Sequence, residues 1–473
     1  MTDQTAISPP HPPLREPLTA NVCTALLAVI LVVAAWIRLR HLGGDALWRD
    51  EATSWAEARG SLADIIAATA QDNYPPLHNL ILAATMRLFG DSEWALRLPS
   101  VILGTLNVAA LYWVGRLAAG RTAGLIAATL LALSPFAIFY AQEVRMYALL
   151  ALAATLLAGC GLWLVERPTW PRAIATFLAG ATLLYSHPYG IPTWLCLDIA
   201  IAITISGDNR RQRVTVWLVT QLAAAVAFAP WAWVLFTRAR AVEQASFWVP
   251  FPAPAYVVGE IVQLAGDPAM LTLLVVGALA AFVGVAISPR STFAVSGRVT
   301  IALLLWCLGP LVIGVAASAV GTPVFVARYI IGSLPALLLL AAIGFTVPGV
   351  RRNAGILAAI AVACFCLATA MPVRPEDWRS AVAYVKASLQ PSDCLLVPDD
   401  LAANVIAYYF RPPPACFADA ARADFQLAEI AAPRIVAIVV GSKGNTIATL
   451  PPPWQDTGAA AFRGIRVVTF ARQ

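Results

Sequence analysis

The sequence predicts an all-α polytopic membrane protein of about eleven transmembrane helices, followed by a small C-terminal α/β domain. Hydrophobic residues make up 60% of the 473-residue chain and charged residues only 12%, which is about half the charged fraction of ordinary globular domains. Uncharged stretches of membrane-spanning length recur up to residue 373. Short basic loops separate alternate pairs of these stretches, which indicates a consistent orientation in the membrane.

The predicted spans are uncharged stretches between successive charges, and a breaker at residues 186–192 divides two of them. With residues 1–20 as a cytoplasmic tail, the inner loops are short and basic, as the loop at residues 210–213 illustrates. The membrane domain is predicted to cover residues 21–373. Its spans are predicted at residues 17–37, 98–115, 122–142, 146–165, 173–185, 190–206, 214–237, 268–289, 299–327, 329–350 and 353–373.

Two predicted outer segments are long. The first outer loop, residues 38–97, contains an apolar stretch at residues 74–86 that is about half the length needed to cross a bilayer. We expect an interfacial or re-entrant helix there. The second segment, residues 238–267, contains an aromatic stretch at residues 247–252. That stretch is either a headgroup anchor or a loop that contacts substrate.

Residues 374–473 carry frequent charges and shorter apolar runs, which predicts a separate α/β domain of a size that can fold alone. A helix is predicted after Asp377, and strands are predicted at residues 394–397, 435–440 and 462–470. Eleven spans and an inner N-terminus would put this domain outside, where Cys394 and Cys416 could pair. The domain has no glycine-rich phosphate loop, which favours a stabilising or acceptor-docking role over a catalytic one.

Polar residues cluster at the predicted outer membrane edge, where charges are costly unless they are paired or functional. Asp50 and Glu51 are adjacent carboxylates shortly after the first span, and either is a candidate general base. The structural alternative is that Asp50 caps the helix that follows. Gln142, Glu143 and Arg145 lie between the third and fourth spans, and their structural alternative is a simple Glu143–Arg145 ion pair.

Three more polar positions interrupt the apolar pattern. His187, in the turn after the fifth span, is placed to contact a ligand, although a lone histidine in a turn usually does not. Asp198 is an intramembrane carboxylate and therefore a functional candidate, and the alternative is a hydrogen bond to a neighbouring helix. Arg328, followed by Tyr329, suits a phosphate because its planar guanidinium binds oxyanions bidentately, and snorkelling is the alternative. Together these groups suit transfer of a sugar from a lipid phosphate. The hydrocarbon chain of such a donor stays in the bilayer, because its removal costs free energy, so the phosphate must bind at the membrane edge.

Several motifs extend this pattern over nearly the whole chain. The most specific are residues 91–97 and residues 143–147 taken together, and the others lie at residues 48–52, 74–77, 89–100, 132–135, 140–149, 328–329, 335–337 and 377–379. With these motifs the chain resembles bacterial membrane glycosyltransferases of the protein O-mannosyltransferase-like branch, glycosyltransferase family 39-like, in the glycosyltransferase-C superfamily.

The resemblance implies an inverting glycosyltransferase in the bacterial inner membrane that contributes to cell-envelope glycosylation. Its expected partners are a polyprenyl-phosphate sugar donor and a glycan, lipid or protein acceptor. The resemblance places the catalytic base at Asp50, with Glu51 as its neighbour. It places the donor phosphate near Arg328, Arg145 and Tyr329, and it marks a second site segment that includes Gln142 and Glu143.

One position departs from the pattern of the family. Relatives often carry a histidine, or a glutamate–lysine pair, immediately before the paired prolines, whereas this chain has Asn73 and Tyr74 there, with His78 following. This weakens the expectation of a metal or a lysine–phosphate contact at that point. We expect no required cofactor, with a divalent metal left open, and we keep Tyr74, His78 and His187 as further site candidates.

Two other functional classes make different predictions. A transporter or flippase predicts an internal repeat and charges along a path through the membrane midplane, whereas most charges here lie at one edge and no repeat is obvious. A non-catalytic scaffold predicts that substituting Asp50 or Arg328 changes only expression. A nucleic-acid partner is not expected, because the formal charge of +6 resides in short loops between apolar runs.

Overall fold

The computed structural model describes most of the chain, and its helices are numbered here in chain order. The described residues are 19–72, 74–244, 249–287, 296–347, 357, 360–361, 364–365, 368, 374, 376–398, 400–420, 425–441 and 449–473. The helices up to residue 344 are α1 (Ala20–Leu39), α2 (Arg49–Glu57), α3 (Leu62–Gln71), α4 (Leu77–Phe89), α5 (Glu93–Ala119), α6 (Arg121–Leu133), α7 (Pro135–Tyr140), α8 (Tyr147–Glu166), α9 (Trp170–Leu184), α10 (Gly190–Thr204), α11 (Arg210–Gln244), α12 (Pro254–Ala265), α13 (Pro268–Ile287), α14 (Gly297–Val320), a 3₁₀ helix (Ala327–Ser333) and α15 (Leu334–Gly344).

Six helical segments in the described part of the chain are long and apolar enough to cross a membrane, or seven if the bent pair α12–α13 forms one span. The six are α1, α5, α8, residues 210–238 of α11, α14 and the joined segment Ala327–Gly344. Other predicted spans are shorter helices, such as α6 and α10. The span predicted at residues 353–373 lies mostly outside the described residues, as does the tail up to residue 18. The count of eleven therefore stays a prediction.

Two breaks shape the site, one between two predicted spans and one within a predicted span. The break between α9 and α10 is confirmed, since α9 ends at Leu184 and α10 begins at Gly190. The prediction of one continuous helix over residues 122–142 is wrong, because α6 ends at Leu133 and Pro135 starts α7. The Ser134 side chain caps α7 by accepting the backbone N–H of Ala137. The chain then leaves the helix after Tyr140 and enters the segment that carries Glu143 and Arg145.

The membrane helices pack around α8 and the segment Ala327–Gly344, which are the most buried of the spanning helices, whereas α1 lies at the periphery. Small residues allow some of these helices to approach closely. A Cβ atom at Gly344 would overlap the carbonyl oxygen of Gly277 in α13. The segment with Arg328 and Tyr329 is thereby held in the centre of the bundle.

The C-terminal region forms a five-stranded sheet with strand order β2-β1-β3-β5-β4. Strand β1 is parallel to β2 and β3, whereas β5 is antiparallel to β3 and β4. A disulfide joins Cys394 and Cys416, which are register partners on β1 and β2. The elements are α16 (Trp378–Ser388), β1 (Cys394–Val397), α17 (Asp400–Tyr409), β2 (Cys416–Asp419), β3 (Arg434–Val440), β4 (Trp454–Phe462) and β5 (Ile465–Arg472).

Two strand predictions need correction. The strand expected at residues 462–470 is β5, which begins only at Ile465, because the chain reverses after Phe462 and Gly464 adopts a positive φ of 71°. Strand β4, which forms a hairpin with β5, was not predicted. Strand β2 was not predicted. It is short and only partly buried, so it lacks the apolar run that identified β1 and β3.

The C-terminal region packs on the helix that carries the candidate base. The side chain of Asn404 in α17 donates to Thr53 of α2 at 3.2 Å, and the rings of Tyr408 and Trp55 meet edge to face at 5.1 Å. Ala52 joins the same apolar cluster as the core of the C-terminal region. Helix α2 is therefore positioned by residues that are more than three hundred positions away in the sequence.

Candidate active site

Helix α2 presents Asp50 and Glu51 in its first turn, and Trp48 occupies the N-cap position. The alternative prediction that Asp50 caps this helix is therefore wrong. Glu51 instead accepts the backbone N–H of Trp48 at 3.4 Å. Because adjacent helix positions point about 100° apart, the two carboxylates meet different surroundings.

Glu51 is completely buried and is held by a fork of charged hydrogen bonds. Arg97 donates from Nε to Oε1 at 2.9 Å and from Nη2 to Oε2 at 2.7 Å. The backbone N–H of Val144 adds a third bond at 3.0 Å, and Arg374 lies 3.7 Å away. Although burial opposes ionisation, the charges of Arg97 and Arg374 hold the pKa of Glu51 below its usual range. Because both of its oxygens already accept hydrogen bonds, the Glu51 carboxylate orients α2 and is poorly suited to accept a substrate proton.

Asp50 is half-buried, and its surroundings are cationic. Its charge acts on the guanidinium groups of both Arg145 and Arg328. Arg145 also donates to the backbone carbonyl of Asp50 at 3.3 Å and to the Ser54 hydroxyl at 3.1 Å. Of the two adjacent carboxylates, Asp50 is therefore the one that faces the arginines from an accessible position.

In the segment between α7 and α8, Glu143 and Arg145 contact different partners. The predicted Glu143–Arg145 ion pair is not what the structure shows, because Glu143 pairs with Arg374 at 3.1 Å. Gln142 anchors the same segment, since its side-chain amide donates to the carbonyl oxygens of Arg38 and Arg40 at 2.9 and 3.0 Å. Arg145 is thus left to face Asp50. Sequence reasoning missed Arg374, which lies in the linker before α16 and has no local motif.

Aromatic side chains line the region beside the two arginines. Tyr329 lies 4.9 Å from His187 between ring centroids, and Tyr74 lies 5.4 Å from His187. The hydroxyl groups of Tyr74 and Tyr329 are 3.4 Å apart. Arg145 lies over the Tyr74 ring at 5.2 Å, and Arg328 lies over the Tyr329 ring at 5.6 Å. The structure therefore brings together five predicted site residues from four separate parts of the chain.

Two further tyrosines complete this ring cluster, which comprises Tyr74, Tyr147, His187, Tyr189 and Tyr329. Tyr147 lies 5.9 Å from His187 and Tyr189 lies 6.0 Å from it. Tyr147 belongs to a motif that the sequence singled out, but neither tyrosine was predicted as a site residue. A half-buried carboxylate, two guanidinium groups and the surrounding aromatic rings can accommodate a polar, anionic ligand.

Comparison with known proteins identifies the fold of this chain. Residues 73–234 match a family model described as dolichyl-phosphate-mannose-protein mannosyltransferase. ArnT from Cupriavidus metallidurans in the apo state is similar in structure, with a TM-score of 0.64 at 14% identity over 94% of this chain and 98% of that one. The predicted resemblance is confirmed. The chain has a glycosyltransferase-C fold.

Two other solved structures share the glycosyltransferase-C fold with this chain. ArnT from Cupriavidus metallidurans bound to undecaprenyl phosphate has a TM-score of 0.61 at 14% identity, with 95% of this chain and 98% of that one covered. The oligosaccharyltransferase of Archaeoglobus fulgidus in the apo form has a TM-score of 0.51 at 13% identity, with 82% and 64% covered. No curated protein matches the chain by sequence.

An acidic pair that sequence reasoning missed lies beside the site of this glycosyltransferase-C fold. Glu57 and Asp72 share a hydrogen bond, and burial together with the charge of Asp72 raises the pKa of Glu57 to about 7. Asn79 donates to Glu57 at 2.6 Å and contacts the Nδ1 atom of His78 at 3.0 Å. Burial lowers the pKa of His78 to about 4, so this histidine is neutral at physiological pH. His78 is therefore linked to Glu57 through Asn79.

Asp198 lies apart from the ring cluster. Asp198 lies in α10, about two turns beyond the turn that carries His187. In the described part of the chain, no group of three or more histidine, cysteine, aspartate or glutamate side chains is arranged to hold a metal ion.

Proposed function

We propose that the chain is an inverting glycosyltransferase that moves a sugar from a polyprenyl-phosphate donor to an acceptor hydroxyl at the outer face of the bacterial inner membrane. The observation that carries the proposal is Asp50, a half-buried carboxylate whose charge acts on both Arg145 and Arg328. A base beside two fixed cations suits a reaction that takes a proton from one oxygen and releases a phosphate.

In the proposed reaction the acceptor oxygen attacks the anomeric carbon of the donor sugar. Asp50 takes the acceptor proton, and the bond between the anomeric carbon and the phosphate oxygen breaks with its electron pair moving to the phosphate. Arg328 and Arg145 offset the charge that develops on this leaving group. Glu51 stays ionised and orients α2 through Arg97.

The membrane fold supports a lipid-linked donor for this site. The spanning segment Ala327–Gly344 begins at the 3₁₀ helix that carries Arg328, so the cation lies at the end of an apolar helix. A polyprenyl chain in the bilayer would bring its phosphate to such a position. The similar ArnT has been solved bound to undecaprenyl phosphate, which favours the same donor class here.

The decisive experiment is transfer by the purified protein in proteoliposomes. The donor is a polyprenyl-phosphate sugar with a radiolabelled sugar, and the acceptor is an envelope extract from a strain that lacks the gene. We expect label to become covalently bound to an envelope glycan, lipid or protein. Movement of label across the bilayer without a new glycosidic bond would instead support the transporter or flippase alternative.

Topology provides an independent test of the outer-face proposal. A cysteine introduced at the exposed Ser61, or at the exposed Thr457 of the C-terminal region, is expected to react with a membrane-impermeant maleimide in intact cells. A cysteine at the exposed Gln212 should react only after permeabilisation. The unsubstituted chain gives the background. Protection of Thr457→Cys would contradict the proposed extracytoplasmic placement of residues 374–473. Ser442, another position in this region that suits a cysteine probe, lies outside the described residues.

Arg328 tests the proposed donor phosphate contact. Replacing Arg328 by lysine keeps the positive charge but removes the planar fork that binds two oxygens at once. We expect the donor concentration at half-maximal rate to rise at least tenfold while thermal stability stays unchanged. The measurement is initial transfer rate against donor concentration at saturating acceptor. Wild-type rate and half-saturation in Arg328→Lys would exclude a bidentate phosphate contact.

A further inference from the structure

His187 is held in a defined neutral tautomer. The side chain is 1% exposed in the turn between α9 and α10, and its Nδ1 atom accepts the backbone N–H of Tyr189 at 3.0 Å. A ring nitrogen that accepts a hydrogen bond carries no proton, so the proton of the neutral ring lies on Nε2. Burial and the charges of Arg145 and Arg328 lower the pKa of His187 well below its usual value, which keeps the ring neutral.

The Nε2 atom of His187 is a buried donor that lacks a hydrogen-bond partner among the described residues. The Tyr147 hydroxyl and the Nε atom of Arg145 lack one as well. A buried donor left unpaired costs about 1–3 kcal/mol, so three close together indicate a place where a ligand supplies acceptors. The unpaired Oε2 atom of Glu143, by contrast, belongs to the ion pair with Arg374.

The ligand that fits these groups is an anion. All three unpaired groups can donate a hydrogen bond. The charges of Arg145 and Arg328 both act on the His187 imidazole, so its surroundings are positive. The rings of Tyr329 and Tyr74 pack at 4.9 and 5.4 Å from the imidazole and fix its orientation.

We infer that His187 donates a hydrogen bond from Nε2 to the phosphate of the sugar donor and stabilises that phosphate as it leaves. The inference rests on the proposed glycosyl transfer and adds a catalytic residue to it. When the bond between the anomeric carbon and the phosphate oxygen breaks, its electron pair adds one negative charge to the phosphate. The acceptor proton goes to Asp50, and the proton on Nε2 stays on the imidazole. A hydrogen bond to this oxygen therefore strengthens as the sugar departs.

The test uses two substitutions of the same residue. His187→Phe keeps a flat ring in the cluster but removes the donor, whereas His187→Gln retains an amide N–H near the position of Nε2. We expect His187→Phe to lower kcat roughly tenfold to a hundredfold, as for loss of a hydrogen bond to a charged group, with little change in donor KM. His187→Gln should recover part of that loss. Thermal unfolding of both variants checks that the fold is retained.

A second measurement separates stabilisation of the leaving phosphate from simple packing. Polyprenyl phosphate, the product dianion, is added as a competitive inhibitor of transfer. Its inhibition constant should rise more in His187→Phe than the KM of the monoanionic donor rises, because the hydrogen bond is stronger to the more charged phosphate. A packing role would leave the ratio of the two constants unchanged.

The outcomes distinguish this inference from the proposed function. Wild-type turnover in His187→Phe overturns the inference, while the transfer measured for the wild-type protein still stands. Equal loss in His187→Phe and His187→Gln, with an unchanged ratio of constants, also overturns it. If the wild-type protein itself transfers no sugar under these conditions, the proposed function fails rather than the role of His187.

Discussion

Replacing Asp50 by asparagine is expected to lower the rate of sugar transfer roughly a hundredfold to ten-thousandfold, the usual contribution of a positioned general base. Asparagine has nearly the same size and cannot accept the acceptor proton. Helix α2 should be unaffected, because Trp48 and not Asp50 occupies its N-cap. The measurements are initial transfer rate at saturating donor, thermal unfolding, and donor binding.

A matched control for this prediction is Asp208→Asn. It makes the same chemical change at an exposed aspartate just after α10, at the opposite end of that helix from His187 and Tyr189, and it should transfer sugar at the wild-type rate. Full turnover in Asp50→Asn together with loss in Glu143→Gln would mean that the base is misassigned. Full turnover in both variants would contradict the catalytic assignment of this region.

Replacing Arg97 by methionine is expected to destabilise the fold by about 3–5 kcal/mol, the cost of leaving a buried carboxylate without its partner. Glu51 would keep only Arg374 at 3.7 Å as a cation. Three backbone carbonyl groups would lose a donor at the same time, those of Leu42, Asp45 and Ala46. Thermal unfolding in detergent, followed by tryptophan fluorescence, would measure the loss as a lower midpoint.

Two further variants isolate the cause of that loss. Arg463→Met removes an ion pair with Asp45 in which the arginine is 48% exposed, so we expect a change of about 1 kcal/mol or less. Adding Glu51→Gln to Arg97→Met should recover part of the stability, because the buried charge is then gone. Glu51→Gln alone should lower stability as well as activity. A small effect of Arg97→Met would show that Glu51 is not held as the structure indicates.

Asp50 could be identified as a candidate from the sequence, whereas the role of Glu51 required the structure. The position of Asp50 just after the first span, next to an arginine, made it a candidate from the sequence alone. The role of Glu51 could not be predicted, because its partners Arg97 and Arg374 lie 46 and 323 positions away. The partner of a buried charge depends on which helices touch. Sequence proximity therefore suggested a Glu143–Arg145 pair that the structure does not contain.

The sequence by itself determined the class of protein, the break at residues 186–192 and the motifs that carry the family resemblance. Hydropathy reports these features because a membrane span and a proline break are local properties of the chain. It missed β4, because that strand is mostly exposed and carries few large apolar residues.

Only the tertiary structure decided what the polar residues do. The ring cluster takes Tyr74, Tyr147, His187 and Tyr329 from four distant segments, and the tautomer of His187 follows from one backbone contact with Tyr189. Such contacts depend on how the helices pack, and packing is a property of the whole bundle. A pattern read along one helix therefore identifies candidate groups, and the packed bundle selects the groups that meet.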